Sequence, residues 1–329
     1  MTKHTTLIQP LIAKVPANMH GKRIDQVLAE LFPDFSRSRL QNWFKKGKVK
    51  IDDEIRLKQK EKLQGGETIE IQAELEEEVA FLPQDIPLDI LYEDSSIIII
   101  NKPAGMVVHP AAGNPDGTMQ NALLHFDPTL ASVPRAGIVH RLDKETSGIL
   151  MVARNLTAHK SLVEQLQARS IKREYRALTQ GIITAGGTIE QPIGRHPTQR
   201  VKMAVTANGK PAITHYRVLE RLSCHTYIQV NLETGRTHQI RVHMAHIRHP
   251  LAGDPVYGGR TRFPAGASEP FMEILRNFRR QALHAYRLGL IHPDSGEAME
   301  WSAEIPDDMQ QLLDAARKDS DQAKGRIKT

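Results

Sequence analysis

Between residues 64 and 100 the chain carries ten Asp/Glu and no Lys/Arg, and this acidic interval separates two basic bodies. Residues 18–63 hold twelve Lys/Arg against seven Asp/Glu, a balance of +5, and residues 101–329 carry a further +9. Two basic bodies around a stretch that repels polyanions fit a chain with two anion-facing surfaces. A length of 329 residues agrees with two domains. One cysteine, Cys224, leaves no intrachain disulfide and no thiolate zinc cluster, as in a reducing compartment. The N-terminal residues lack the apolar stretch of a signal peptide, and the most apolar run, Ile97–Ile100, is far too short to cross a bilayer. The expectation is a soluble cytoplasmic protein without membrane contact.

After a flexible segment, 1–17, residues 18–78 read as a small module. Ile24, Val27, Leu28 and Leu31 fall at i, i+3, i+4 and i+7, one face of a helix that Pro33-Asp34 ends. Ser36 is placed to cap a second helix with Leu40, Trp43 and Phe44 on its apolar face, stopped by Gly47. Short strands follow at Lys48–Ile51 and Thr68–Ile71, the second after the turn Gly65-Gly66. Arg37, Arg39, Lys45, Lys46 and Lys48 lie on or beside the second helix, off its apolar stripe. These five are the module's candidates for contacting a polyanion.

Glutamates around 74–78, with Pro83 and Pro87, predict a solvated linker over 79–88. Strand signals then appear at Ile90–Tyr92, Ile97–Ile100, Gly148–Ala153 and Cys224–Leu232, and a helix at 157–168. Such intermixing predicts an α+β chain whose large domain, 89–312, is built on a mixed, mostly antiparallel sheet. Arg317–Thr329 holds five Lys/Arg and two Asp, so residues 313–329 are expected to form a disordered basic tail.

Four segments of the large domain stand out: Asn101-Lys102-Pro103-Ala104-Gly105; Gly137 to Gly148, containing His140-Arg141-Leu142-Asp143; Arg173-Glu174-Tyr175-Arg176-Ala177; and Leu232 to His243, running on to Asp254-Pro255-Val256-Tyr257-Gly258. Singly each is ordinary. In this order they resemble the pseudouridine synthase family typified by the large-ribosomal-subunit enzymes of types A, C and D, the D type most closely. The N-terminal module resembles the S4 RNA-binding domain through Arg23-Ile24-Asp25, Ser36-Arg37-Ser38-Arg39, Lys46-Gly47-Lys48-Val49-Lys50 and Gly65-Gly66-Glu67-Thr68-Ile69. It departs at Asp52-Asp53-Glu54, where that family often has an Asn-Gly turn, which weakens the expectation of strands there.

The resemblance implies Asp143 as the catalytic aspartate, Tyr175 as the tyrosine against the target base, and Arg241 as the basic partner of the aspartate. It implies Arg141 as an arginine that fills the stack when the uridine leaves it, and His140 beside it as a further RNA contact. Large-subunit (23S) ribosomal RNA or its precursor particle would be the partner, helix 69 the target, and a monomer the working unit. The chemistry breaks C1′–N1, turns the base and joins C1′ to C5. It involves no redox change or phosphoryl transfer, so no cofactor and no metal is expected, and the chain shows no P-loop or dinucleotide fingerprint. A carboxylate can add at C1′ or remove the 2′ proton.

Three rivals bear on these residues. His243, His246 and His249, with His238, have a spacing that could gather imidazoles around a metal, although Arg241, Arg248 and Pro250 oppose it. A glycoside hydrolase needs two cooperating carboxylates, and only Asp143 falls within the motif set. A non-catalytic ribosome- or RNA-binding factor would leave Asp143, Tyr175 and Arg241 without a purpose.

Overall fold

The computed structural model describes all residues except 1–4, 8–9, 34, 36, 57, 73, 77–81, 112, 200–201, 260–262, 264–265 and 328–329, and the side chains of 5–7, 38–39, 74–76 and 324–327. The chain divides into two units after Ala80.

In the first unit, Thr5–Leu7 (β1) pairs with Glu74–Glu76 (β6). Leu11–Lys14 (β2), Val49–Ile51 (β3), Glu54–Ile55 (β4) and Thr68–Ile71 (β5) form an antiparallel sheet in the order β2-β5-β3-β4. The helices Ile24–Leu31 (α1) and Arg37–Lys45 (α2) occupy the stretches that their apolar spacing predicts. Ile24, Val27, Leu28, Leu40, Trp43 and Phe44 pack with Val49, Ile51, Ile69 and Ile71 in one core. Ser36, the expected cap of α2, lies outside the described residues. The doubtful hairpin forms: Asp52 and Asp53 both take left-handed backbone, φ 50° and 64°, which a two-residue type I′ turn demands. Aspartate tolerates that region better than most residues, and Asp52 uses its Oδ1 to accept the Thr68 N–H at 2.9 Å.

The second unit is built on a sheet of Ile90–Glu93 (β7), Ile97–Lys102 (β8), Ser147–Ala153 (β9), Lys172–Gln180 (β10), Gly187–Glu190 (β11), Ile213–Arg221 (β14), His225–Leu232 (β15), Leu283–Ile291 (β16) and Ala298–Ser302 (β17). The order is β11-β14-β15-β10-β16-β9-β8-β7, with β17 also on β16. Every pair is antiparallel except β9 with β16, so the sheet is mixed and mostly antiparallel. A separate hairpin joins Ile193–Arg195 (β12) to Met203–Val205 (β13).

Both faces of this sheet are covered. Ile98, Ile100, Leu150, Val152, Ile228 and Val230 meet Met119–Phe126 (α3) and Gln239–His246 (α5) on one face. Ile97, Ile99, Ile149 and Met151 meet Leu156–Gln167 (α4) on the other. Tyr227 also faces outward, against Glu269–Asn277 (α6) and Asp307–Ile327 (α7).

Two expectations change here. The stretch after 81 is not a free linker: Leu82 O accepts the Asn121 side chain at 2.9 Å, and the Gln84 side chain accepts the Gly117 N–H at 2.7 Å. The supposed disordered tail is helical, because α7 runs to Ile327 and buries Met309, Leu312, Leu313 and Ala316 at i, i+3, i+4 and i+7. The stripe ends just before the basic run that begins at Arg317.

Candidate active site

Asp143 lies in the loop that enters β9, where the sheet makes its one parallel pairing. Leu142 is buried in the core while Arg141 beside it is exposed, which holds the loop in one orientation. Gly148 permits the close approach of β9 to β16, since its φ is 111° and a Cβ there would lie 2.2 Å from Ala285 O.

The loop is fastened at several points. Lys102, fully buried, donates to Pro103 O at 2.7 Å, Met106 O at 3.1 Å and Lys144 O at 3.0 Å. Burial pulls its pKa down to about 7, opposed by Glu145 and Asp143, while the three carbonyls match the three protons of an ammonium. From the other side Arg280 Nη1 reaches Glu145 O at 3.3 Å, and Gln281 donates to the Thr146 hydroxyl at 2.9 Å. Asp308, in the first turn of α7, holds Arg280 bidentately at 2.6 and 2.7 Å.

Arg241 is brought to Asp143 by α5 and donates from Nη1 to Asp143 Oδ2 at 3.0 Å. Its other two nitrogens go to Asp254, Nε to Oδ2 at 2.7 Å and Nη2 to Oδ1 at 2.9 Å. The Asp254 side chain is completely buried, that of Arg241 is 6% exposed, and that of Asp143 is 16% exposed. Burial opposes both charges of the inner pair. The Asp254 hydrogen bonds and charge nonetheless raise Arg241 above its ordinary range, and Arg241 with the backbone N–H groups of Tyr257 and Val256 lowers Asp254. A guanidinium pinned in this way presents one fixed donor edge to Asp143. Asp254 is a second carboxylate, but with both oxygens engaged it cannot serve as the partner acid or base of a glycosidase.

Tyr175, on β10, is buried. Burial raises its pKa most; the nearby Arg173 lowers it and the Asp143 carboxylate raises it, so the phenol stays protonated across the neutral range. Arg173 donates Nη2 to Glu233 O at 3.0 Å, tying β10 to the turn ahead of α5. The structure thus gathers Asp143, Tyr175 and Arg241, and Arg141 stands exposed at the same loop. His140 is different: its Nε2 accepts the Met151 N–H at 3.1 Å, and burial holds its pKa down at about 3. It braces β9 as a neutral ring and offers no cation to a phosphate.

The histidine cluster disperses. His243 bonds to Thr214 and to Gln191 O, His249 to Gln180 O, and His238 lies near Asp143 and Tyr257. Among the described residues no group of three or more His, Cys, Asp or Glu could hold a metal. In the first unit, Arg37, Lys45 and Lys46 are exposed and Lys48 is half-buried, opposite the buried face of α2. The Arg39 side chain lies outside the described residues.

Residues 96–246 match the family of RNA pseudouridylate synthases, and residues 22–69 match the S4 domain. A curated relative, ribosomal large subunit pseudouridine synthase D of Escherichia coli K12, is 59% identical over 317 residues, 96% of this chain and 97% of its own. The chain belongs to the RNA pseudouridine synthase family. The Haemophilus influenzae synthase D is 57% identical over 94% of this chain and 95% of its own. Among solved structures, human RNA pseudouridylate synthase domain containing 4 aligns with TM-score 0.56 and 25% identity, covering 70% of this chain and 93% of that one. The domain containing 1 protein aligns with TM-score 0.52 and 27% identity, covering 71% and 96%. This pseudouridine synthase is therefore an enzyme, and the non-catalytic reading falls away. Sequence reasoning gave no role to Lys102, Arg173, Asp254 or Tyr257, and weighed His238 only as a rival metal ligand. The one available signal for Asp254 was its place in the Asp254–Gly258 segment.

Proposed function

We propose that the synthase converts uridine to pseudouridine in large-subunit ribosomal RNA, in the helix 69 stem-loop, through Asp143 and without a cofactor. The observation that carries this reading is the partly open carboxylate of Asp143, held by Arg241 at the end of a buried ion chain and within electrostatic reach of the buried phenol of Tyr175. The substrate follows from the relatives, which are named for the ribosomal large subunit.

In the proposed reaction Asp143 acts on the ribose, by addition at C1′ or by taking the 2′ proton, and C1′–N1 breaks. The freed uracil turns against Tyr175, C5 bonds to C1′, C5 gives up its proton and N1 gains one. Atoms and charge balance within the nucleotide and water, which is why no redox partner is needed. Extruding the base costs a few kcal/mol of stacking, and in this reading the exposed Arg141 fills the vacated space. The exposed Arg37, Lys45 and Lys46 supply phosphate contacts from the S4 unit.

No helix of the described residues is long and apolar enough to cross a membrane, and the enzyme is proposed to act on RNA in the cytoplasm as a monomer. The test is to incubate purified enzyme, dialysed against chelator, with pre-folded ribosomal RNA and to map pseudouridine by carbodiimide-blocked primer extension. Stops confined to helix 69 are expected. Modification elsewhere would overturn the target, and activity that returns only with added metal would overturn the cofactor-free route.

A further inference from the structure

The two oxygens of Asp143 are not equivalent. Oδ2 accepts Arg241 Nη1 at 3.0 Å, whereas Oδ1 faces His238 Nε2 across 3.8 Å, too far for a hydrogen bond and near enough to become one. The opposite ring nitrogen, Nδ1, lies 2.8 Å from the Tyr257 hydroxyl. That hydroxyl accepts the Met203 N–H at 3.0 Å, which leaves its own proton free to be donated to His238 Nδ1. A neutral ring acting as acceptor at Nδ1 must carry its proton on Nε2, toward Asp143 Oδ1.

The backbone supports the same arrangement. His238 is left-handed, φ 57°, at the N-terminal end of α5, three residues before Arg241. Histidine is among the side chains better tolerated in that region, and such conformations persist where the surroundings impose them. Tyr257 further confines the ring by an edge-on contact with centroids 5.6 Å apart.

We infer that His238 is a positioning residue that decides which oxygen of Asp143 reacts: Arg241 occupies Oδ2, and the neutral His238 N–H steers Oδ1 without capturing it. This rests on Asp143 being the reacting carboxylate. Protonation of His238 would put a second cation against Oδ1 and draw it into an ion pair, stopping the reaction.

The groups around the ring set when that happens. Burial opposes protonation most, Asp143 and Asp254 favour it, and Arg241 and Arg141 oppose it, while the Tyr257 phenol stays neutral. The net effect is a ring that is neutral near neutrality and charges only below the ordinary histidine range. Activity should therefore fall on the acid side as His238 gains its proton.

The test is the single-turnover rate of the full-length enzyme on pre-folded ribosomal RNA from about pH 8 to about pH 5, the span in which a histidine titrates. His238→Gln places an amide N–H near the Nε2 position but cannot titrate. Its rate at the alkaline plateau should stay within about threefold of wild type, and the wild-type acid limb should vanish. His238→Asn suits the left-handed backbone yet is too short to reach Oδ1, so its plateau should drop about tenfold, again without that limb. An unchanged acid limb in either variant, or a wild-type plateau in His238→Asn, would overturn the role of His238. Asp143→Asn, run alongside, separates the two readings. Turnover in that variant would remove Asp143 itself, whereas a dead Asp143→Asn with unaltered limbs at position 238 would remove only the role of His238.

Discussion

Asp254 holds Arg241 by two hydrogen bonds, 2.7 Å from Nε and 2.9 Å from Nη2, and so leaves Nη1 alone to meet Asp143 at 3.0 Å. The inner pair is dry and the outer carboxylate is partly open. A buried charge pair of this kind is weak evidence for stability, because desolvation offsets much of the attraction. What it supplies is aim: the guanidinium cannot rotate away from the aspartate.

Asp254→Asn should loosen that aim. Neutralising one partner leaves Arg241 buried without full compensation, at a cost of about 3–5 kcal/mol of stability. The single-turnover rate should fall about a hundredfold, the penalty of misplacing a group by an ångström. Thermal unfolding and single-turnover kinetics on the same preparation check both. A folded variant with the wild-type rate would show that Asp143 does not depend on the ion chain.

Tyr175→Phe keeps the ring and removes the hydroxyl. If the phenol assists the final proton transfer, the single-turnover rate should fall about a hundredfold while RNA affinity changes less than about twofold. Weaker binding at an unchanged rate would reduce Tyr175 to a packing residue of β10.

Lys102→Met leaves Pro103 O, Met106 O and Lys144 O without their shared donor. Lys144 O keeps the Gly105 N–H at 2.9 Å, so two carbonyls are left unpaired at about 1 kcal/mol or more each, and the variant should lose about 2 kcal/mol and turn over more slowly because the Asp143 loop is loosened. Denaturant unfolding gives the first quantity. An unchanged midpoint would mean that water replaces the ammonium.

Much of this arrangement was legible before the fold. Continuous apolar runs at 97–100 and 148–153 marked strands, and the i, i+3, i+4 spacing marked the stretches of α1 and α2. Asp143, Tyr175 and Arg241 were readable because their segments have a recognisable order. Asp254 was not, because its partner lies thirteen residues earlier and meets it only once α5 has turned back toward the following loop. The fate of His140 was hidden for a similar reason: nothing local reveals that its Nε2 would accept the Met151 N–H. The Asp52-Asp53 turn looked wrong by composition and forms because the flanking strands demand it. At the C-terminus, charge outweighed a periodic stripe that only packing against α6 makes plain.

Removing residues 1–80 should weaken RNA binding and leave the chemistry intact, since the two units have separate cores and every catalytic candidate lies in the second. Each lost phosphate contact flattens the salt dependence by about 0.7–0.9 log units per decade, so losing about four contacts makes the slope shallower by roughly three. An unchanged slope would mean that the S4 unit does not touch RNA.

The most direct measurement is pseudouridine formation by Asp143→Asn, read by carbodiimide-blocked primer extension on ribosomal RNA under single-turnover conditions. Asparagine keeps the shape and the contact with Arg241 but can be neither nucleophile nor base. The expected result is no detectable product, a fall of about 10⁴-fold or more, with a wild-type melting midpoint and near wild-type RNA affinity. Turnover within tenfold of wild type would contradict the assignment of Asp143 as the reacting carboxylate.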